Sequence, residues 1–232
     1  MIKRGVSLFI LMIFGFAFLN GQDIVTAQGY LELVSNNYAG IRDYEANIVI
    51  RSGNTDMIGT VSHLSPSYMR MDFSRPANQV FVFDGQVLTM YLPEFSAILR
   101  QSISASRVYS SGTGGAGLAS SQGLSLLRNN YVPSFLNSPN PEPLDSNNPS
   151  VMVIKLRLIR RFTSEGFREI TLSIDPQTRL IRRIEGRTIA DGEVRFDFTN
   201  IRTNVGVPEA RFIYDAPASA NVYNNFLFRD ID

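Results

Sequence analysis

Short stretches in which apolar and polar residues alternate recur along most of the chain, and this period of two predicts antiparallel β-strands. Strands are predicted in residues 42–51, 56–64, 95–101, 151–160, 168–175, 179–187 and 193–201. Glycine, proline, asparagine and aspartate separate them, as is typical of turns. The sequence predicts about nine to eleven antiparallel strands in a mainly β protein of the α+β class, with the sheet curled around helices or forming a partial barrel.

Two segments, 23–35 and 118–129, have the spacing of amphipathic helices instead. The first is predicted to begin at Asp23 and to end before Gly40, and the second to end near Asn129. Either helix would cover a core, and a helix that covers the mouth of a barrel has the same pattern. Apolar positions of the two helices include Ile24, Leu31, Leu124 and Leu126.

Two segments lack either period. Residues 110–117 are rich in serine and glycine and predict a flexible segment. They match Gly-x-Gly-x-x-Gly at 112–117, but no strand precedes the match directly and no βαβ unit surrounds it, so a dinucleotide site is rejected. Residues 132–150 hold five of the 11 prolines and predict a long loop.

The meander in residues 59–93 is apolar on both faces. Residues 69, 71 and 73 are Met, Met and Phe, while residues 80–83 read Val-Phe-Val-Phe, and Asp84-Gly85 predicts a type I′ hairpin turn. A sheet with one face in water should alternate apolar and polar residues. We interpret the additional apolar surface as a functional clue, because methionine and aromatic side chains suit a cavity that accepts acyl chains of varied shape.

The first 21 residues predict a secretory signal peptide, with Lys3 and Arg4 before an apolar run at 8–19 and Gly21 at the cleavage site. An uncleaved anchor is the alternative. The chain contains no cysteine, which excludes disulfides and a lipid-modified cysteine. We therefore expect one domain, residues 22–232, in the periplasm, and a monomer. The formal net charge of +1 argues against a nucleic-acid partner.

Catalytic patterns are sparse. His63 is the single histidine, so a His-based triad or metal site has no second imidazole, and no serine lies in a Gly-x-Ser-x-Gly turn. Asp84 is explained by its turn, and Asp72 can pair with Arg70 or Arg75. We expect no enzyme activity, no cofactor and no metal. Several arginines are expected on a solvated sheet face or against anionic headgroups: Arg168, Arg179, Arg182, Arg183, Arg187 and Arg195.

The joint spacing in 59–93 resembles the LolA family, the periplasmic carriers of outer-membrane lipoproteins, or the wider LolA-like superfamily. The similarity is carried by Gly59, Pro66, the run 69–73, Pro76, Asp84-Gly85, Leu88 and Tyr91-x-Pro93. It implies an incomplete β-barrel whose open side is covered by helices acting as a lid, with lipoprotein acyl chains between barrel and lid. It also implies loading from an inner-membrane lipoprotein-releasing ABC transporter and delivery to an outer-membrane lipoprotein receptor.

On this resemblance, the lid is formed by the helices at 23–35 and 118–129, with Ile24, Leu31, Leu124 and Leu126. Candidate cavity-lining residues are Met69, Met71, Phe73, Phe81, Phe83, Leu88 and Met90. The family typically has a lid-latching arginine where this chain has Ser65, so the latch lies elsewhere or the lid is weakly held. Two alternatives stay open: a carrier of glycolipid or other lipid, and a periplasmic regulatory protein that senses lipoproteins.

Overall fold

The computed structural model describes residues 26–102 and 115–225. The predicted signal peptide, Asp23, Ile24 and most of the Ser/Gly-rich segment lie outside these ranges. Of the helices within them, none is long and apolar enough to span a membrane.

In residues 26–102 and 115–225, the secondary structure consists of two α-helices, several 3-10 turns and many strands. The helices within the described ranges are α1 (Ala27–Ala39) and α2 (Ser121–Asn130), and the 3-10 turns lie at Pro93–Phe95, Gly115–Leu118 and Glu209–Phe212. The first strands are β1 (Asp43–Ser52), β2 (Thr55–Leu64), β3 (Tyr68–Arg75), β4 (Val80–Phe83), β5 (Val87–Leu92) and β6 (Ala97–Ser102). The later strands are β7 (Tyr131–Phe135), β8 (Glu142–Asp145), β9 (Asn148–Arg160), β10 (Phe167–Ile174), β11 (Ile181–Thr188), β12 (Glu193–Thr203) and β13 (Asn221–Asn224).

These strands form one open sheet of 13 strands. The order is β13-β6-β5-β4-β3-β2-β1-β12-β11-β10-β9-β7, with β8 paired to β9 beside β7. All neighbours are antiparallel except β13, which runs parallel to β6. The sheet carries α1 and α2 on one face, here called the concave face. The predicted mainly β, incomplete-barrel fold class is confirmed.

The count of nine to eleven strands was too low because the proline-rich stretch is not one loop. It contains β7 and β8, which pair with the two halves of the long strand β9. Pro133 fits within β7 because this strand is at the edge of the sheet, where a missing N–H breaks no ladder.

Helix α1 buries one stripe, which includes Leu31 and Val34. Its N-cap is Thr26, whose side chain accepts a hydrogen bond from the Gly29 N–H at 3.0 Å, so the predicted start at residue 23 was wrong. Helix α2 begins after Ser120, whose hydroxyl accepts from the Gly123 N–H at 3.0 Å. Both caps satisfy a backbone donor that the first helical turn leaves without a partner.

The hairpin between β4 and β5 is not the type I′ turn predicted for Asp84-Gly85. That turn needs positive φ at both residues, but here only Gly85 has it, at +94°. Asp84 instead accepts hydrogen bonds through its side chain from the N–H groups of Gln86 (2.9 Å) and Val87 (2.8 Å). The same residues therefore make a turn, through a side-chain hydrogen bond instead of left-handed backbone at the aspartate.

The outer face of β3–β5 is covered by the chain itself. Val80 and Val82 form a small buried cluster with Val207 and Phe212 of the C-terminal segment, here residues 207–214. The carboxylate of Asp72 accepts from Arg70 at 2.8 Å and from Arg211 at 2.5 Å, which ties that segment to β3. Part of the apolar outer face is therefore explained by a second, smaller core under the C-terminal segment.

Candidate functional site

The seven candidate cavity residues form a compact patch on the concave face of β3, β4 and β5. Strand register sets them in two rows across the three strands. The rows are Met69–Phe83–Leu88 and Met71–Phe81–Met90. Phe73 extends the patch along β3, and its ring meets that of Phe81 edge-on with centroids 5.1 Å apart. Alternation along each strand explains why all seven point to the same face.

The patch is covered in this structure. Each of its side chains is less than a tenth exposed and belongs to one buried cluster with Leu31 of α1 and Leu124 of α2. Leu126 is only partly buried against that cluster, and Ile24 lies outside the described residues. The structure therefore brings the predicted cavity residues and two of the predicted lid residues into one core.

The two helices are attached to the sheet differently. Helix α1 is tied by its last turn, where the Tyr38 hydroxyl accepts from the Ile181 N–H at 3.0 Å and the Asn37 amide donates to the Thr178 carbonyl at 3.2 Å. The polar side-chain ties of α2 run from Arg128 to the exposed Glu32 of α1 and from Asn130 to Glu165, which is only 8% exposed.

Leu124 and Leu127 of α2 join the buried apolar cluster of the concave face, and the Asn130 carbonyl at the end of the helix accepts a hydrogen bond from the Arg161 N–H at 2.7 Å. Ser65, in the position of the family's latching arginine, lies in the β2–β3 turn, where its N–H donates to the Arg42 carbonyl at 2.8 Å. The Arg128–Glu32 contact was not predicted, because the two residues are 96 positions apart in the sequence.

The arginines predicted on a solvated face are largely paired on the outer face. Arg183 is only 6% exposed, so a solvated position was wrong for it. Asp197 accepts hydrogen bonds from Arg51, Arg183 and Arg195. Further ion pairs join Arg168 to Asp191, Arg157 to Glu169 and Arg187 to Glu193. This face is a network of ion pairs.

The single histidine is structural. His63 is 4% exposed, packs on Tyr44 with ring centroids 5.2 Å apart, and its Nδ1 lies 2.8 Å from the Tyr68 carbonyl, to which it donates. Burial is the main cause that lowers the pKa of His63 to about 4. Among residues 26–102 and 115–225, no three His, Asp or Glu side chains group as a metal site.

This buried imidazole makes stability depend on pH. Because the pKa in the folded state lies below the unfolded value of about 6.5, protons bind the unfolded chain first as the pH falls below that value. We expect the free energy of unfolding to fall by about 2 kcal/mol between pH 7 and pH 5. The measurement is urea denaturation at several pH values. His63→Gln keeps a donor and should lose this pH dependence; equal slopes would contradict the assignment.

Comparison with known proteins bears on the fold. No protein-family model matches the sequence, and no curated protein matches it significantly. Among solved structures, an uncharacterised conserved protein from Thermus thermophilus is similar, with a TM-score of 0.53, 14% identity, and coverage of 85% of this chain and 98% of that one. MucB is similar with a TM-score of 0.50 and 15% identity, over 84% of this chain but only 64% of MucB.

A LolA superfamily protein, NE2245 from Nitrosomonas europaea, also matches, with a TM-score of 0.42, 14% identity, and coverage of 82% of this chain and 98% of that one. The fold predicted from the resemblance, an open sheet covered by helices, is confirmed, and at these identities the similarity to solved structures concerns the fold alone.

Proposed function

We propose that this protein binds the acyl chains of lipoproteins between the concave face and its helices, and carries them through the periplasm from the inner to the outer membrane. The observation that supports this most is the Met- and Phe-rich patch of β3–β5, which is buried in one apolar cluster with Leu124 and Leu127 of α2. Loading by an inner-membrane ABC transporter and delivery to an outer-membrane receptor complete the proposal. No enzymatic activity and no cofactor belong to it.

Acyl burial sets the energetic requirement of such a carrier. An acyl chain gains ~0.8 kcal/mol per buried CH₂, so exposing one chain of about 14 carbons to water costs on the order of 10 kcal/mol. The carrier must offer comparable apolar surface, and must also cover that surface when it is empty. We propose that α2 meets both demands, because Leu124 and Leu127 belong to the same buried apolar cluster as the patch and their contacts can be exchanged for contacts with acyl carbon.

Photocrosslinking tests the proposal. A benzophenone amino acid at Phe81 or Phe73, on the concave face, is expected to label the acyl chains of co-expressed lipoproteins. The same amino acid at Tyr91, an aromatic residue of the outer face on the neighbouring strand β5, is the matched control and should not. Labelling of acyl chains at Tyr91 alone would contradict the proposal.

A second candidate function is a regulatory module that binds a polypeptide tail on its outer face. A cavity of about 760 Å³ favours it, between the C-terminal segment and the outer face of β4–β6. Its lining mixes aromatic, apolar and charged side chains and includes Tyr68, Val82, Thr89, Arg100, Phe212 and Tyr214. A benzophenone at Tyr68 that captures protein, with no acyl labelling at Phe81, would select this function.

A further inference from the structure

Tyr30 carries a polar group without a hydrogen-bond partner into the buried core. It lies on the inward face of α1 and is only 7% exposed, and its ring centroid is 6.3 Å from that of Phe135. Its hydroxyl oxygen is buried and has no hydrogen-bond partner among the described residues. A buried hydroxyl without a partner destabilises the folded state. The protein should therefore be more stable with phenylalanine than with tyrosine at position 30.

Tyr38, two turns later on the same helix, shows the usual arrangement. It is 4% exposed, and its hydroxyl accepts from the Ile181 N–H at 3.0 Å. Helix α1 thus carries two buried tyrosines. The hydroxyl of Tyr38 bonds the helix to the sheet, whereas the hydroxyl of Tyr30 has no hydrogen-bond partner among the described residues. Attachment of the helix to the sheet explains why position 38 is a tyrosine, but it does not explain the hydroxyl at position 30.

The Tyr30 hydroxyl lies toward the rim of the core. Arg179 and Asp175, in the turn between β10 and β11, are close enough to act on it electrostatically. Burial is the main cause that raises the pKa of Tyr30, so the hydroxyl keeps its proton at neutral pH and serves as a donor. The site therefore presents one donor at the edge of an apolar interior.

We propose that the Tyr30 hydroxyl donates a hydrogen bond to the ester carbonyl at the head of a bound acyl chain, so that the site selects ester-linked acyl chains over plain alkyl chains. This inference rests on the proposed function. The carbonyl is the acceptor that an acyl chain carries at its polar end, and its hydrocarbon would continue inward toward Leu31 and the β3–β5 patch. The unpartnered hydroxyl is then a specificity determinant that the ligand satisfies.

The test is a competition between two lipids that differ only at the linkage. Vesicles contain equal parts of dimyristoyl phosphatidylglycerol and its dialkyl ether analogue of the same chain length. The full chain is incubated with them and re-isolated, and mass spectrometry gives the ester-to-ether ratio of bound lipid. We expect wild type to prefer the ester about fivefold, the effect of one hydrogen bond, and Tyr30→Phe to bind both equally.

Thermal unfolding of the lipid-free protein provides the second readout. Tyr30→Phe is expected to raise the Tm by about 3 °C, since it removes a buried group without a partner. Tyr38→Phe is the matched control, which should lower the Tm and keep the ester preference. A purely structural role for Tyr30 predicts instead a lower Tm and an unchanged ratio, and this result would overturn the inference.

The outcomes separate the inference from the function on which it rests. If wild type takes up neither lipid nor a synthetic dipalmitoyl lipopeptide, the proposed function fails. If it takes up ester and ether lipids equally, the function stands and the role of Tyr30 is overturned. With the lipopeptide as third competitor, enrichment of either ester ligand over the ether supports the role of Tyr30, and the enriched ligand identifies the source of the ester.

Discussion

Leu124→Ala is expected to make the protein less stable and, at the same time, to tighten its binding of acyl chains. Leu124 is fully buried in the core that α2 shares with the sheet. A buried Leu→Ala substitution costs about 2–5 kcal/mol of folding free energy. If acyl chains enter only where α2 leaves, the same contact opposes binding, and its loss appears as a gain in affinity.

The size of the gain in affinity depends on how much free energy is needed to displace α2 from the core. Each 1.4 kcal/mol removed from the cost of displacing α2 tightens binding tenfold. Since part of the Leu124 contact persists when the helix shifts, we expect at least a tenfold lower Kd for a diacyl lipid. The measurements are urea denaturation for stability and lipid transfer from vesicles for affinity.

Leu172 supplies the matched control. It is also fully buried in the same core, but it lies on β10, a strand of the sheet that pairs with neighbours on both sides and is not part of α2. Leu172→Ala should destabilise the protein by a similar amount and leave acyl affinity unchanged. If the two variants bind lipid equally, α2 is a fixed part of the core and the exchange mechanism is wrong.

The set of residues on the concave face was predictable, because the alternation of side chains along a strand is enough to assign them to one face. Side chains alternate across a strand, so the apolar positions of 69–73, 81–83 and 88–90 share a face whatever the register. Register then decides which residues become neighbours, and the pairs Met71↔Phe81 and Phe81↔Met90 are visible only in the structure. The residues of the patch were therefore predicted, but their arrangement in two rows across the strands was not.

The outer face was not predictable in the same way. An apolar pattern at Val80 and Val82 shows that something covers these residues but not what covers them. Phe212 does so from more than a hundred residues further along the chain, and no local period records such a contact. The helix start shows a different limit, because Asp23 and Thr26 are both good N-cap residues and only backbone geometry distinguishes them.

The polar ties of the helices also escaped prediction. Glu32 and Arg128 each look like solvated residues of an amphipathic helix, and only the packing of α1 against α2 brings them to 3.1 Å. The unpaired hydroxyl of Tyr30 could not be predicted either. A tyrosine in an apolar stripe indicates that the ring is buried, but it does not indicate which group, if any, its hydroxyl bonds.

Asp197→Asn is expected to destabilise the protein by about 3–5 kcal/mol, although the residue lies far from the concave face. The side chain is 14% exposed and receives three arginines, at 2.6 Å from Arg51, 2.5 Å from Arg183 and 2.8 Å from Arg195. Burial alone disfavours the charged guanidinium of Arg183, yet the carboxylates of Asp145 and Asp197 raise its pKa above the usual value. Without Asp197, the buried Arg183 guanidinium keeps Asp145, whose side chain is 50% exposed, as its charged partner among the described residues.

Asp191→Asn is the control, because Asp191 pairs with Arg168 at a site where the carboxylate side chain is 74% exposed. Exposed pairs contribute up to about 1 kcal/mol, so this variant should lie within that range of wild type in urea denaturation. Acyl binding by folded Asp197→Asn protein should be unchanged, since the ion-pair network and the proposed site are on opposite faces of the sheet. Equal stability of the two variants would mean that solvent screens the network despite its burial, and that the outer face is held by Val80, Val82 and their apolar partners instead.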